Sequence, residues 1–251
     1  MYTRLEFIRE RQLLFNVSPA TISWYKHALK KLPCESPSPD QLKNLVLRMR
    51  ESGMKPTGCN AAIRAINAYL RWSGSAHVAP LMKEPRSCFP TFTADQIKLL
   101  TQSDYDPQLK SFITLLLDTG ARVSEALGVR PGDIDHDAHA LTLRGKGSKD
   151  RTVPFTPGYD ILVPFPWKRC WVLRLIKAQC RALGFEPPRR TCHACRHTFA
   201  IFYIRMGGGV FHLQRALGHS TLEMSRRYAN LGAADLIAAH RSPLTSTRQL
   251  T

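Results

Sequence analysis

The stretch from residue 191 to residue 230 contains side chains that could bind an anion and react with it. No acidic residue lies between positions 191 and 221. An arginine, two histidines and a tyrosine without a carboxylate favour a negatively charged ligand such as a phosphate. Two more cations could complete such a site, one in TGARVSEALGV and one in the turn-like LRGKGSKDR. The six candidates are Arg122, Lys146, His193, Arg196, His219 and Tyr228.

Cleavage of a phosphodiester without a metal needs a nucleophile, cations for the growing charge and an acid for the leaving oxygen. Arg122 and Arg196 suit the second task, because a guanidinium stays charged and donates in two directions. Tyr228 is the candidate nucleophile, and its ordinary pKa near ~10 means that it must lose a proton during attack.

The remaining candidates serve proton transfer. His193 or His219 could remove the phenolic proton or could bind the phosphate. Lys146 could donate a proton to the departing 5′ oxygen. A solvent-exposed turn lysine is the alternative for Lys146.

The overall charge also indicates a polyanionic partner. The 251 residues include 36 Lys and Arg but 19 Asp and Glu, a formal net charge of +17. The excess is spread over the chain, since residues 1–75 hold 12 basic and 5 acidic side chains. Dispersed basic residues favour nucleic acid, and a merely basic protein is the alternative.

Cysteine usage and hydropathy indicate the compartment. The seven cysteines form no regular framework, and we see no signal peptide, which favours reduced thiols in the cytoplasm. No apolar run approaches the ~18 residues of a spanning helix. We therefore expect a soluble, cytoplasmic, nucleoid-associated bacterial protein without a membrane partner.

The pattern predicts a mainly α protein with a small antiparallel β-sheet. Residues 1–75 predict a domain of short amphipathic helices, with Ser18-Pro19 and Ser38-Pro39 as start signals. Residues 76–92 predict a linker, and residues 93–251 a second domain with a tail at 232–251. Helices are expected from Thr93, from Pro107 to Gly120, over 167–183 and over 193–206.

Short strands are expected in the middle of the second domain. The segments LGVRPGDID, ALTLRG and RTVPF are bounded by Pro, Asp and Gly, and the last two flank GKGSK. That arrangement places Lys146 at the tip of a hairpin. In the helix over 193–206, Phe199, Phe202 and Tyr203 are the expected core.

Several motifs in one order resemble a known family. They are Ala121-Arg122-Val123-Ser124-Glu125, Gly145-Lys146-Gly147, His193-x-x-Arg196-His197, Leu217-Gly218-His219-Ser220 and Tyr228. Over nearly its whole length the chain resembles the tyrosine recombinases, the phage integrase and Xer-like family. SPATISWYKHALKKL also looks like the N-terminal core-binding domain of that family.

The resemblance implies a two-domain clamp around double-stranded DNA and a covalent 3′-phosphotyrosyl intermediate, formed without a cofactor or metal. It implies that Arg122 and Arg196 bind the scissile phosphate and that Tyr228 attacks. By the same resemblance Lys146 is the general acid, His193 and His219 assist, and Glu125 supports the site from behind. It also implies a homo-tetramer, a dimer of dimers, on paired DNA sites.

The chain departs from the family pattern in its second half. Cys195 stands where the family has leucine, and one helix is expected between Arg151 and His193 where the family has two. The shortened segment is expected to thin the core and expose apolar surface. We see no additional N-terminal arm-binding domain, which favours a simple recombinase.

Three other functions are compatible with parts of the pattern. The pair Cys192 and Cys195, with His193 and His197, resembles half a zinc site, but no second pair lies at zinc-finger distance. A relative that binds DNA without cutting it would keep the clamp. A type IB topoisomerase would share the chemistry and relax supercoils without a second site.

Overall fold

The computed structural model describes residues 3–84, 89–145 and 150–218, together with residues 221, 222, 225 and 228. The chain forms two compact units, Met1–Ser87 and Cys88–Thr251. The predicted architecture, mainly α with a small antiparallel sheet, is confirmed. The predictions for Lys146, His219 and the tail at 232–251 fall outside the described residues.

The first unit contains four helices, and its start signals lie where they were predicted. Ser18 accepts a hydrogen bond from the Thr21 N–H, and Ser38 forms a capping box with Gln41. The helices are α1 (Arg4–Leu13), α2 (Pro19–Leu29), α3 (Pro39–Glu51) and α4 (Pro56–Trp72).

Aromatic rings lie at the centre of the core of this unit. The buried Phe7 ring meets Tyr25, Tyr69 and Trp72 edge-to-face, with centroids 5.1, 5.7 and 5.4 Å away. Such contacts add to the free energy gained by burying the rings themselves.

Part of the segment predicted as a linker packs on the first unit. The Asn67 side chain donates to the Ala79 carbonyl and accepts from its N–H, at 2.9 and 2.8 Å. Asn60 makes the same pair of bonds with Met82, at 2.8 and 2.9 Å. Two asparagines on α4 thus hold an irregular segment in place. Each makes the pair of backbone hydrogen bonds that a residue of a neighbouring β-strand would make.

The second unit is built around a helix that ends at a glycine. The six helices assigned within its described residues are α5 (Ala94–Gln102), α6 (Pro107–Thr119), α7 (Val123–Ala126), α8 (Arg169–Ala182), α9 (Thr191–Arg205) and α10 (Val210–Leu217). Phe112, Ile113, Leu115 and Leu116 of α6 are fully buried. α6 packs against α5, α8 and α9 and therefore forms the centre of this unit.

The sheet is smaller than predicted. It contains β1 (Ile134–Asp135), β2 (Ala140–Leu143) and β3 (Arg151–Pro154), antiparallel and in that order. Most of LGVRPGDID is not a strand, because Pro131 lacks an N–H and starts a single 3₁₀ turn. Leu141 of β2 pairs with Val153 of β3, and both side chains are buried, so one face of the sheet lies in the core.

The region between β3 and α9 contains one helix, as the sequence predicts. All of residues 150–218 are described, and α8 is the helix between Pro154 and Thr191. The predicted core of α9 is only partly correct. Phe199, Phe202 and Tyr203 are half-buried, and Phe199 and Tyr203 pack against a core cluster. The fully buried positions of α9 are Thr191, Ala194, Cys195 and Ala200.

The difference has a steric cause. α9 packs closely on α6, where small side chains fit, and its aromatic side chains line a cleft of about 870 Å³ together with Phe155 and Tyr159. No helix in the described part of the chain is long and apolar enough to cross a membrane.

Candidate active site

Arg122 lies at a sharp turn between two helices of the second unit. α6 ends at Gly120, whose φ of 63° is left-handed, and Arg122 is the N-cap residue of α7. Its backbone N–H donates to Glu125 Oε2 at 2.7 Å, and its Nη1 donates to Glu125 Oε1 at 2.7 Å. The side chain remains 41% exposed, so part of the guanidinium can reach a ligand.

Glu125 is buried and shared between two arginines. Arg151 Nη1 and Nη2 donate to its two oxygens at 2.9 and 2.8 Å, a bidentate pair in addition to the bonds from Arg122. Burial opposes ionisation, but the bonds from Arg151 and Arg122 outweigh it and lower the pKa of Glu125 to about 2. The carboxylate is therefore charged at neutral pH.

Arg196 connects the C-terminal ends of two helices. Its Nη1 donates to the Gly120 carbonyl at 2.8 Å, and its Nη2 donates to the Leu217 carbonyl at the end of α10. These carbonyls carry the partial negative charge of a helix C-terminus. Among the described residues, these two bonds use two of its five N–H donors.

The pKa of Arg196 is lowered to about 10, first by burial and then by the charges of Arg122 and Arg151. It stays protonated at pH 7. Three guanidinium groups and one carboxylate therefore meet in this cluster, and their excess positive charge is suited to a phosphate.

Arg151 and Arg196 together hold the end of α10. Arg151 Nε donates to the Ala216 carbonyl at 2.7 Å, next to the Leu217 carbonyl that Arg196 binds. Gly218 follows in a left-handed conformation, with φ of 61°. The two arginines therefore hold the last backbone carbonyls of α10 in place.

His193 lies on α9, one turn before His197, and is exposed. Burial of part of its ring lowers its pKa, and the positive charges of Arg169, Arg190, Arg196 and Arg122 lower it further. The imidazole is therefore neutral at pH 7, the form that can accept a proton or a hydrogen bond.

Tyr228 is 5% exposed and packs with Ala200, Leu213 and Leu217. Its Oη lies 2.8 Å from His197 Nδ1. Leu217, against which Tyr228 packs, accepts a hydrogen bond from Arg196 through its carbonyl, so the phenol lies near the arginine cluster.

The structure thus brings together four of the six predicted residues. Arg122, His193 and Tyr228 all lie within reach of the charge of Arg196, and Glu125 binds Arg122 and Arg151 through its carboxylate. Within the described ranges, no group of three or more His, Cys, Asp or Glu is arranged to hold a metal. Burial raises the pKa of the Cys192 thiol to about 11, which disfavours the thiolate that zinc requires.

Three residues of the site had no assigned function in the sequence analysis. Arg151 and His197 lie in stretches quoted above but had no catalytic role there, and Phe89 was not among the candidates. The alternation of side-chain directions along β3 could have indicated that Arg151 points inward, since Arg151 lies on the same strand face as the buried Val153. For Phe89 and His197 no local signal exists, because their contacts join distant parts of the chain.

Comparison with known proteins identifies the family. The model of the phage integrase family matches residues 90–163 and 166–234, more than half of the chain. The chain is similar to the tyrosine recombinase XerA of Pyrococcus horikoshii, with 27% identity over 248 residues that cover 85% of this chain and 84% of that protein. It is also similar to the tyrosine recombinase XerC of Brucella suis biovar 1, with 29% identity over 219 residues, 72% of this chain and 68% of that protein.

A solved structure shares the fold. The Tn1549 transposon integrase in complex with circular intermediate DNA superposes with a TM-score of 0.70 at 19% identity, covering 98% of this chain and 97% of that one. The chain belongs to the phage integrase family, the tyrosine-type site-specific DNA recombinases. The comparisons do not favour the two alternatives, a non-cutting DNA-binding relative and a type IB topoisomerase.

Proposed function

We propose that this recombinase cuts and rejoins DNA at the cluster of Arg122, Arg196 and Tyr228. The observation that carries the assignment is the position of Tyr228 relative to the guanidinium groups. The phenol packs with Leu217, whose carbonyl accepts a hydrogen bond from Arg196, and the partly exposed Arg122 belongs to the same arginine cluster. Each guanidinium is fixed by hydrogen bonds, Arg122 by its bond to Glu125 and Arg196 by its bonds to carbonyls at helix ends. A site whose donors are fixed before the substrate arrives stabilises charge that develops in the transition state.

The proposed reaction has two balanced transesterifications. Tyr228 Oη attacks the scissile phosphorus and gives its proton to His193 or His219. The phosphorus–5′-oxygen bond breaks, and the 5′ oxygen takes a proton from Lys146. The product is a 3′-phosphotyrosyl bond and a free 5′-hydroxyl. A 5′-hydroxyl of the partner strand then attacks the phosphotyrosine and returns a proton to Lys146, while the tyrosine oxygen leaves and regains its proton from the histidine. The phenol and a phosphodiester are restored without an external energy source.

The remaining candidates assist this reaction. His193 accepts or shares a hydrogen bond at the phosphate in its neutral form, which the surrounding arginines favour. His219 is proposed to assist from the chain after α10, whose end Arg151 and Arg196 hold. The guanidinium groups carry the positive charge that a metal would otherwise supply, so no metal or cofactor is part of the proposal.

Double-stranded DNA is the partner, and a homo-tetramer on two paired sites is the proposed assembly. The first unit is the proposed core-binding domain, with its boundary near residue 75 and a linker to residue 92. Relatives solved with DNA support the partner, and the net charge of +17 supports it independently. The proposed location is the bacterial cytoplasm, on the nucleoid.

The test is covalent trapping. A binding duplex is selected from a randomised pool, synthesised with a nick at each position in turn, incubated with the protein and denatured in SDS. The wild type is expected to leave a protein–DNA band that resists SDS and persists in EDTA. Tyr228→Phe should bind the same duplex and leave no band, because it lacks the attacking oxygen.

Tyr203→Phe, on α9 of the same unit, is the matched control and should trap DNA as the wild type does. A covalent band from Tyr228→Phe would show that another residue attacks. Loss of the wild-type band in EDTA and its return with Mg²⁺ would contradict the metal-free mechanism.

A further inference from the structure

His197 and Tyr228 make a contact that the roles above do not use. His197 Nδ1 and Tyr228 Oη lie 2.8 Å apart, within the normal range for a hydrogen bond. With the imidazole proton on Nε2, Nδ1 accepts the phenolic hydrogen, and the lone pairs of Oη then face away from the ring. An oxygen in this orientation is prepared to approach an electrophile.

The position of His197 on α9 relates this contact to the phosphate site. His197 follows Arg196 directly, and α9 fixes the backbone of both residues. The Arg196 side chain is held in turn by the Gly120 and Leu217 carbonyls. A hydroxyl bound to His197 is therefore held at a defined place relative to a phosphate-binding guanidinium.

Phe89 stabilises the pair from one side. Its ring centroid lies 4.5 Å from that of His197 and 4.9 Å from that of Tyr228, with interplanar angles of 32° and 31°. Both partner rings therefore pack against Phe89. Restricting two rings at once lowers the entropy that the pair would lose on forming the hydrogen bond.

We propose that His197 is a positioning residue for the nucleophile: it holds the hydroxyl of Tyr228 in the orientation from which the oxygen attacks. His197 acts through Tyr228 and does not contact the phosphate. This inference rests on the proposed function, since it takes Tyr228 as the nucleophile.

Two substitutions of nearly the same shape separate the hydrogen bond from the packing. His197→Asn keeps a polar atom close to the place of Nδ1, whereas His197→Leu puts a methyl group there. His212→Asn and His212→Leu, at an exposed position of α10, are the matched controls. The measurements are the dissociation constant for the selected nicked duplex and the single-turnover rate of covalent adduct formation.

His197→Leu is expected to bind DNA as tightly as the wild type and to form the adduct about 10- to 100-fold more slowly, the usual effect of a misplaced reacting group. His197→Asn should recover most of that loss, and both His212 variants should match the wild type. If His197→Leu melts at a lower temperature than the wild type, His197→Phe replaces it, since a ring at this position still packs on Phe89.

A second substrate distinguishes positioning of the nucleophile from help to the leaving group. Sulfur replaces the bridging 5′ oxygen at the scissile phosphate, and a thiolate departs without a proton. His197→Leu should stay slow on this substrate, whereas Lys146→Ala should be rescued.

Three results would each overturn the inference. They are equal rates of adduct formation for His197→Asn and His197→Leu, a faster rate for His197→Leu than for His197→Asn, and rescue of His197→Leu by the sulfur substrate. Adduct formation by Tyr228→Phe would instead overturn the proposed function. The two failures are therefore distinguishable in one set of assays.

Discussion

Arg151 and Glu125 face each other through two parallel hydrogen bonds of 2.9 and 2.8 Å, 26 residues apart in sequence. Arg151 is 11% exposed and Glu125 is 4% exposed at the side chain, so water screens this pair weakly. The same carboxylate binds Arg122, and the same guanidinium binds the Ala216 carbonyl. The pair therefore connects β3, α7 and α10, three of the elements around the proposed phosphate site.

Glu125→Gln tests the charge of this pair through pH. The folded-state pKa of about 2 lies below the unfolded value of 4.5, so ionised Glu125 contributes stability above pH 4.5 that is lost as the pH falls towards 2. The shift corresponds to about 3 kcal/mol at neutral pH. Urea unfolding at pH 7, 4 and 3 should show Glu125→Gln destabilised at pH 7 and approaching the wild type in acid.

Glu186→Gln is the control for that titration. Glu186 pairs with Arg181 at the surface, where both side chains are exposed, so the substitution should have little effect at any pH. A gap between Glu125→Gln and the wild type that stays constant from pH 7 to 3 would contradict the depressed pKa.

Arg151→Lys tests the geometry of the guanidinium. Lysine keeps the charge but cannot donate in parallel to both Glu125 oxygens and also bind the Ala216 carbonyl. We expect a loss of about 2 kcal/mol in the free energy of unfolding, the usual contribution of hydrogen bonds to charged groups. Adduct formation should slow at the same time, because the end of α10 loses one of its two arginine contacts.

Arg181→Lys, at the exposed pair with Glu186, is the control and should leave both measurements unchanged. If Arg151→Lys unfolded and reacted like the wild type, charge alone would account for the contact.

Gly120→Ala tests the close approach of α9 and α10 to the turn before Arg122. A Cβ at this position would lie 2.5 Å from Phe199 Cδ1 and 2.8 Å from Leu217 Cδ2, and the φ of 63° disfavours any side chain. The left-handed conformation costs about 1 kcal/mol, and overpacking adds about 1–3 kcal/mol. Because Arg196 binds the Gly120 carbonyl, DNA cleavage should fall as well.

Gly184→Ala separates the two costs. Gly184 has a φ of 85° after α8, but a Cβ there would meet nothing within 4 Å. It should lose only the conformational cost of about 1 kcal/mol by urea unfolding. Equal losses at the two glycines would show that the contact with Phe199 and Leu217 relaxes freely.

The sequence predicts helix boundaries well where a local signal exists. The capping box of Thr93 and Gln96, the Asp106-Pro107 start and the Gly120 stop each lie within a few residues of the helix end that they define. Their physics is local, since a side chain satisfies a free backbone group next to it. Arg122 and Glu125 were found for a similar reason, because they lie in one motif at the start of α7.

Contacts between distant residues could not be predicted in the same way. Arg151 binds a helix end 65 residues later, and His197 meets a tyrosine 31 residues later. The close approach of α6 to α9 decides which side chains of α9 are buried. The periodicity of the sequence does not give the distance between two helices. For this reason small Ala194 and Cys195 are buried while Phe202 and Tyr203 line the cleft.

The last prediction uses salt to test Arg122 as a phosphate ligand. Each phosphate that a protein neutralises releases counterions and contributes about −0.9 to the slope of log affinity against log salt concentration. Arg122 is 41% exposed and lies beside the buried Arg196, so it is placed to meet a backbone phosphate from solvent. Arg122→Gln should therefore bind DNA more weakly at low salt and reduce the magnitude of the slope by about 1.

The comparison uses gel shifts of the selected duplex between low and physiological ionic strength. Arg181→Gln removes a charge of the same kind from the exposed end of α8 and should leave the slope unchanged. Cleavage by Arg122→Gln should fall by more than its binding, because a guanidinium that contacts the scissile phosphate also stabilises the transition state. An unchanged slope together with unchanged cleavage would place the phosphate elsewhere, and equal changes in the two variants would mean that Arg122 contributes only to the overall positive field.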